Sequence, residues 1–311
     1  MLDCKDILKG NSFGFFVRLP RQFGSREILK AWDNGNHVLG FSTSGQTAGE
    51  LVSHCQSQSE YQSLVKKAIG YIESGECTKL VTSRIFKIEF GSNGEQDLME
   101  KWLNTFPDAF VFVIHHPQHG LWMGASPELL LYRNGENIHS VALAGSKSKE
   151  DQSSWGDKEI EEHQVVLRMI EETFLRYNVK HVKCDETKEL LFRNVKHLCT
   201  PLSGEFSGEF SDLVKGLYPT PALSGWPKER AILWIEENEP FNRGLYGGVL
   251  NFTDGDEQWS MVILRCCHKS AEGWLGHVGG GVMHDSVPEL EWQETEWKRQ
   301  AFIFANDAHF Q

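Results

Sequence analysis

Two periodicities run along the chain. Between residues 59 and 76, Tyr61, Leu64, Val65, Ala68, Ile69 and Ile72 recur at helical spacing, and Gly75 supplies a stop, which predicts a helix over 59–76. Residues 79–90 are rich in Val, Ile and Phe and read as a strand. Shorter apolar runs, separated by turn residues, predict strands over 109–115, 120–124, 128–133 and 138–143. A stripe of Ile160, Val166, Leu167, Ile170 and Phe174 predicts a long amphipathic helix over 157–177. Strand-like runs return over 245–252, 260–266 and 274–278. Ser286-Val-Pro288-Glu289 combines a capping-box pattern with a proline in the first turn and predicts the start of the last helix. Before residue 59 the pattern mixes short strand-like runs, 37–43 among them, with turns. Strands broken by a few helices predict an α+β fold with mainly antiparallel sheet. No repeat, low-complexity tract or Pro/Ser-rich linker divides the chain, so residues 1–311 read as one continuous domain.

Composition narrows the class. At 311 residues the chain can bury a full core without disulfide or metal support. No apolar run approaches the length of a membrane span, and residues 1–10 alternate charged and apolar positions unlike a secretory signal. The net charge of −12, from 31 basic and 43 acidic residues, disfavours nucleic-acid binding and requires a concentrated positive site for any anionic substrate. Seven cysteines, with no paired C-x-x-C spacing, read as reduced thiols of a cytoplasmic protein.

Against that background, a few segments carry candidate chemistry. In Glu291-Trp-Gln-Glu294-Thr-Glu-Trp-Lys298 a helix places Glu291 and Glu294 on one face, with Lys298 four residues beyond Glu294. Such a patch can hold a hard cation and its anion, or be a solvated salt-bridged face. Lys158-Glu159-Ile-Glu161-Glu162-His163 repeats the spacing in Glu159 and Glu162, so two helices could converge on one Mg²⁺. An acidic first turn suits the helix dipole equally well. Gly279-Gly280-Gly281 lets backbone approach a ligand, or merely turn tightly, and forms neither a P-loop nor a dinucleotide fingerprint. Lys79 enters an apolar strand, where desolvation would lower its pKa towards that of a base unless it snorkels to water. Glu128, between a tight turn and an apolar strand, is a candidate general acid or a plain strand-end glutamate. Arg265 is flanked by apolar residues and thiols, and wants a carboxylate from the protein or from a ligand.

Together these segments resemble the chorismate-utilising enzymes: isochorismate synthase, salicylate synthase and the large subunits of anthranilate and aminodeoxychorismate synthase. The matching strings, in the family's order, are Lys79-Leu-Val-Thr-Ser-Arg84, Gly124-Ala-Ser-Pro-Glu128, Ala142-Leu-Ala-Gly-Ser146, Lys158 to His163, His197-Leu198, Pro219-Thr-Pro-Ala-Leu-Ser-Gly225, Arg243-Gly-Leu-Tyr-Gly-Gly248, Arg265, Gly279 to Val282 and Glu291 to Lys298. They span about residues 60–305, leaving 1–58 as a shortened N-terminal part. The resemblance implies the anthranilate synthase component I-like fold, with two facing antiparallel sheets, helices outside and a Mg²⁺ site between the sheets. It assigns Glu162 and Glu294 as the nearest metal ligands, with Glu159 and Glu291 supporting. It assigns Arg265, Tyr246, Lys298 and the amides of Gly279 to Gly281 to the substrate's carboxylates. Gly145, Ser146, Ala222 and His197 join the substrate site, with His197 placed to position the C4 hydroxyl. Lys79 becomes the base and Glu128 the acid of isochorismate formation. The strings 142–145 and 221–225 look most like isochorismate synthases. Ala144 stands where aminodeoxychorismate synthases carry a nucleophilic lysine. Salicylate synthase is the alternative, ammonia-using chemistry a third, and no obligatory amidotransferase partner is expected. Ser146, Gly248 and Gly280 depart from the usual Thr, Ala and Ala. Oligomeric state stays open between monomer and dimer, as does a menaquinone or siderophore destination.

Overall fold

The computed structural model describes residues 3–33, 36–41, 55–90 and 94–303. Its strands form two sheets. In spatial order the first runs Gly225–Trp226, Lys79–Ile88, Gly273–Val282, Cys266–Ser270, Gly120–Ser126, Phe110–His116, Gly14–Arg18 and Glu27–Lys30. The second runs Lys188–Phe192, Val195–Glu205, Asn137–Ser148, Leu129–Asn134, Glu257–Val262, Val249–Asp254 and His37–Leu39, and Lys180–Cys184 adds to the Val195–Glu205 strand. All recorded pairings are antiparallel.

Strand periodicity decides how the sheets pack, because alternate side chains point to opposite faces. Phe15, Val17, Phe112, Ile114 and Trp122 of the first sheet meet Leu250, Phe252, Trp259 and Met261 of the second in one apolar layer. The intervening Phe16, Val111, Val113, Leu121 and Met123 face outward, onto Ile7, Leu98, Met99 and Trp102 from helices Cys4–Leu8 and Gly94–Thr105. A third layer packs Val166, Ile170 and Phe174 of helix Asp157–Arg176 against Leu131, Ile138, Ala142 and Leu202. This is the α+β arrangement of facing antiparallel sheets with helices outside.

The predicted helix over 59–76 is Gln58–Glu73, opened by a capping box between Ser57 and Glu60. Gly75, at φ +85°, ends it. The predicted helix over 157–177 is Asp157–Arg176. The last helix is Pro288–Arg299, but its expected capping box does not form: Val287 is the N-cap, and the Ser286 hydroxyl instead accepts from Met283 N at 2.9 Å. Of the predicted strand over 37–43, His37–Leu39 is a strand, and residues 42–43 lie outside the described residues. No helix of the described residues is long and apolar enough to cross a membrane.

Candidate active site

Two places where the chain passes from one sheet to the other build the floor of a cavity. Gly120–Ser126 belongs to the first sheet and Leu129–Asn134 to the second, so Pro127 and Glu128 form the crossing. The predicted strand over 260–266 is likewise two strands, Glu257–Val262 and Cys266–Ser270, joined across the gap by 263–265. The crossings are tied together: Val262 N donates to Glu128 O and Ala125 N to Arg265 O, both at 3.1 Å. Gly124 permits this, because a Cβ there would stand 2.8 Å from Arg265 O. Arg265 sits at φ +45°, a left-handed backbone costing on the order of 1–3 kcal/mol for a residue with a Cβ. The crossing thereby puts both Glu128 and Arg265, each buried, on the cavity wall.

A bulge aims the next group. His197 pairs with Ser146 and Leu198 with Ala144, so Gly145 is the extra residue, at φ +73°. Its carbonyl turns to the imidazole and lies 3.0 Å from His197 Nδ1. On the other side Arg265 Nη2 lies 2.9 Å from His197 Nε2. A guanidinium can only donate, so Nε2 accepts and Nδ1 carries the proton that Gly145 O receives. Burial, reinforced by Arg265 and Lys298, lowers His197 to about 3 and keeps it neutral. Both ring nitrogens are therefore engaged, and His197 orients Arg265 from the cavity wall. Burial lowers Arg265 to about 10, still protonated near neutrality, and no carboxylate among the described residues pairs with it. A buried unpaired guanidinium is an anion site.

Lys79 opens a strand that lies second from the edge of its sheet, and it is fully buried. Its Nζ lies 3.0 Å from Glu162 Oε1, yet the angle is not that of a hydrogen bond and the ammonium has no oriented acceptor. Burial lowers the Lys79 pKa, against the opposing pull of Glu162. At Glu128 burial acts in the reverse sense and pushes the carboxyl up to about 8, although Lys79, Arg265 and Lys298 pull it down. The Lys79 strand is anchored by a buried ion pair: Arg243 Nη2 lies 2.6 Å from Glu239 Oε1 and donates to Val81 O at 2.6 Å, while Ser83 N donates to Glu239 Oε1 at 2.7 Å. Arg243 Nη1 also donates to Leu223 O at 2.8 Å, fastening the segment that carries Ala222.

The carboxylates gather at the glycine run. A Cβ on Gly281 would stand 2.1 Å from Glu162 Oε1 and 3.0 Å from Lys79 Cε; one on Gly280 would stand 3.1 Å from Glu294 Oε1 and 3.5 Å from Glu291 Oε2. Glu291 Oε1 accepts from Lys158 Nζ at 2.6 Å, and Glu294 Oε1 from Lys298 Nζ at 2.6 Å. Lys298 also donates to Gly279 O at 2.8 Å. Glu291 Oε2 is a buried acceptor without a donor. Burial raises the Glu291 carboxyl; at Glu294 the attraction of Lys298 and Lys158 overcomes burial and lowers it. Glu159 stands apart from this group, its Oε2 accepting from Gly156 N at 3.2 Å at the start of its helix. As the side chains stand, no three His, Cys, Asp or Glu among the described residues surround a single point as metal ligands, and a lysine faces one oxygen of each of Glu162, Glu291 and Glu294.

One cavity, with about 620 Å³ of empty space counting its mouth, joins most of these groups. Glu128, Glu162, His197, Arg265 and Lys298 line it, with Tyr246, Ala222, Ser146 and the backbone of Gly145, Gly279 and Gly281. Lys79 stands one layer behind, at Gly281 and Glu162. His277, which sequence reasoning passed over, also lines the cavity, and its ring stacks on Tyr246 with centroids 5.3 Å apart. The signal for it was alternation: His277, Gly279 and Gly281 share one face of a strand. Lys158 lay in a noticed motif but was given no role.

Residues 27–305 match the family described as Chorismate binding enzyme. The chain is 30% identical over 262 residues to the isochorismate synthase EntC of Escherichia coli strain K12, covering 79% of this chain and 66% of that protein. It is 28% identical over 265 residues to the anthranilate synthase component 1 of Pseudomonas aeruginosa, covering 80% of this chain and 53% of that protein. It thus spans between about half and two thirds of the relatives it matches. The solved structure of MenF, the menaquinone-specific isochorismate synthase of Escherichia coli, superimposes with a TM-score of 0.69 at 22% identity, over 91% of this chain and 66% of that one, a likeness of fold.

Proposed function

Because this chain belongs to the chorismate-binding enzymes, we propose that it is a magnesium-dependent isochorismate synthase, adding water at C2 of chorismate and releasing the C4 hydroxyl. The observation that carries the reading is the opposed displacement of two buried groups. Lys79 is pushed towards the neutral amine and Glu128 towards the protonated acid, the two states a base and an acid need near neutral pH. Lys79 takes a proton from the attacking water, and Glu128 gives one to the departing hydroxyl as the ring double bonds shift. Glycine at 281 keeps the wall between Lys79 and the cavity thin. Arg265, held by His197, receives the enolpyruvyl carboxylate, with Tyr246 and Lys298 beside it.

The carboxylate group fits a hard cation in its donor chemistry: oxygen ligands only, with Glu291 Oε2 lacking any donor. Glu162 and Glu294 would hold magnesium, with Glu291 in support, whereas Glu159 serves as a helix cap. When bound, the ion supplies positive charge for the ring carboxylate of the substrate. These local cations reconcile a dianionic substrate with a chain of net charge −12. All seven cysteines are free thiols, which supports a reducing, cytoplasmic setting.

The test is product analysis after incubation with chorismate and Mg²⁺, with and without ammonium. Isochorismate in both arms is expected, with none from Lys79→Ala. Salicylate with pyruvate would replace the reading by salicylate synthase, and an aromatic amine formed only with ammonium would replace it by anthranilate-type chemistry.

A further inference from the structure

Three lysines face three carboxylates at the glycine run: Lys79 at Glu162, Lys158 at Glu291 and Lys298 at Glu294. With Lys79 neutral, two ammonium ions face three carboxylates, so a divalent ion entering this buried group turns a deficit of one positive charge into an excess of one, which is relieved when one ammonium withdraws. The three are not equally able to do so. Lys79 is wholly buried. Lys298 is held twice, by Glu294 and by the carbonyl of Gly279. Lys158 has Glu291 as its one hydrogen-bonding partner among the described residues, lies in the first turn of its helix and has a side chain 19% exposed. It also stands where the carboxylates gather: Glu291, which it bonds, and Glu294 both lie against Gly280, and Glu162 lies against the adjacent Gly281. The orphaned Glu291 Oε2 lies beside it, an acceptor that one ammonium does not satisfy.

We infer that the Lys158 ammonium occupies the cation position among Glu162, Glu291 and Glu294 in the metal-free protein, and swings to solvent on its flexible stem when a divalent cation binds. The inference rests on reading the carboxylates as a magnesium site. Lys158 is then an internal competitor that keeps the carboxylates together without metal and weakens metal binding. It is an ion exchange, one ammonium out and one divalent ion in, with no covalent step.

The experiment is Mg²⁺ titration of the intact protein without chorismate, read by thermal shift and calorimetry. Lys158→Met is expected to bind Mg²⁺ at least about tenfold more tightly than the wild type, the scale of one unit charge removed from contact with a divalent ion even in a water-like dielectric. Lys158→Arg, which keeps the charge, is expected to stay near the wild-type value. An affinity of Lys158→Met equal to or weaker than that of the wild type overturns the inference. Independently of whether that variant folds, reductive methylation of wild-type Lys158, quantified by mass spectrometry, is expected to rise as Mg²⁺ is added. Unchanged labelling while Mg²⁺ binds overturns the inference and leaves the proposed function standing; a wild-type protein that binds no Mg²⁺ removes the metal site itself.

Discussion

Glu128→Gln replaces a buried acid by a neutral group of nearly the same shape, and its consequences separate two effects of the same carboxyl. In the folded protein burial holds Glu128 at about 8, against an ordinary 4.5. The native state therefore binds this proton more tightly than the unfolded chain does. The stabilisation it brings is fully present below pH 4.5 and is lost as pH rises through about 8. At about 1.4 kcal/mol per unit, the gap corresponds to a few kcal/mol and at most about 5. Glutamine carries no such dependence. Urea unfolding of both proteins at pH 5, 7 and 9 is expected to show the wild type losing a few kcal/mol relative to Glu128→Gln across that range, at unchanged m-value. Turnover of chorismate by the variant is expected to fall by about 10²–10⁴ below pH 8, the ordinary contribution of a positioned acid. The wild-type rate should decline above about pH 8, where the acid is ionised. A stability difference that stays constant from pH 5 to 9 would refute the reasoning, because Glu128 would then be as well solvated as in the unfolded chain.

Lys79→Met is expected to lower turnover by about 10²–10⁴ and to abolish the acid limb of the pH–rate profile, since the lowered pKa of the wild-type lysine sets where protonation switches the base off. Steady-state kinetics across pH checks this. In His197→Phe, Arg265 loses the acceptor at 2.9 Å that aims it. KM for chorismate should rise about 10- to 100-fold, the scale of one hydrogen bond to a charged group, with a smaller change in kcat. Gly281→Ala places a methyl 2.1 Å from Glu162 Oε1, so the Lys79–Glu162 pair must move. Calorimetric unfolding is expected to show a loss of about 1–3 kcal/mol from overpacking, and product analysis a loss of activity.

Local pattern determined much of this protein. The helical stripes ending near Glu73 and Arg176, and the alternating strands between Phe110 and Ser148, follow from side chains that must present one face to a core. The chemical inventory (a lysine at a strand start, a glutamate after a turn, two pairs of glutamates at helical spacing and a glycine run) was equally legible. Other features depended on partners distant in the chain. Residues 260–266 read as one apolar strand because Met261 to Leu264 run without a turn residue; only the pairing of each half with a different sheet bends the segment at Arg265. The strand bearing His197 escaped notice because Pro201 interrupts its pattern, and Gly145 looked like any turn glycine until its pairing exposed a bulge. Glu159 and Glu162 are equivalent on a helical wheel. Their separation into a cap and a cavity group was decided by a backbone amide three residues upstream and a lysine from another sheet strand. Periodicity reports which face a residue presents; which faces meet, and hence which charges neutralise one another, is set by long-range packing.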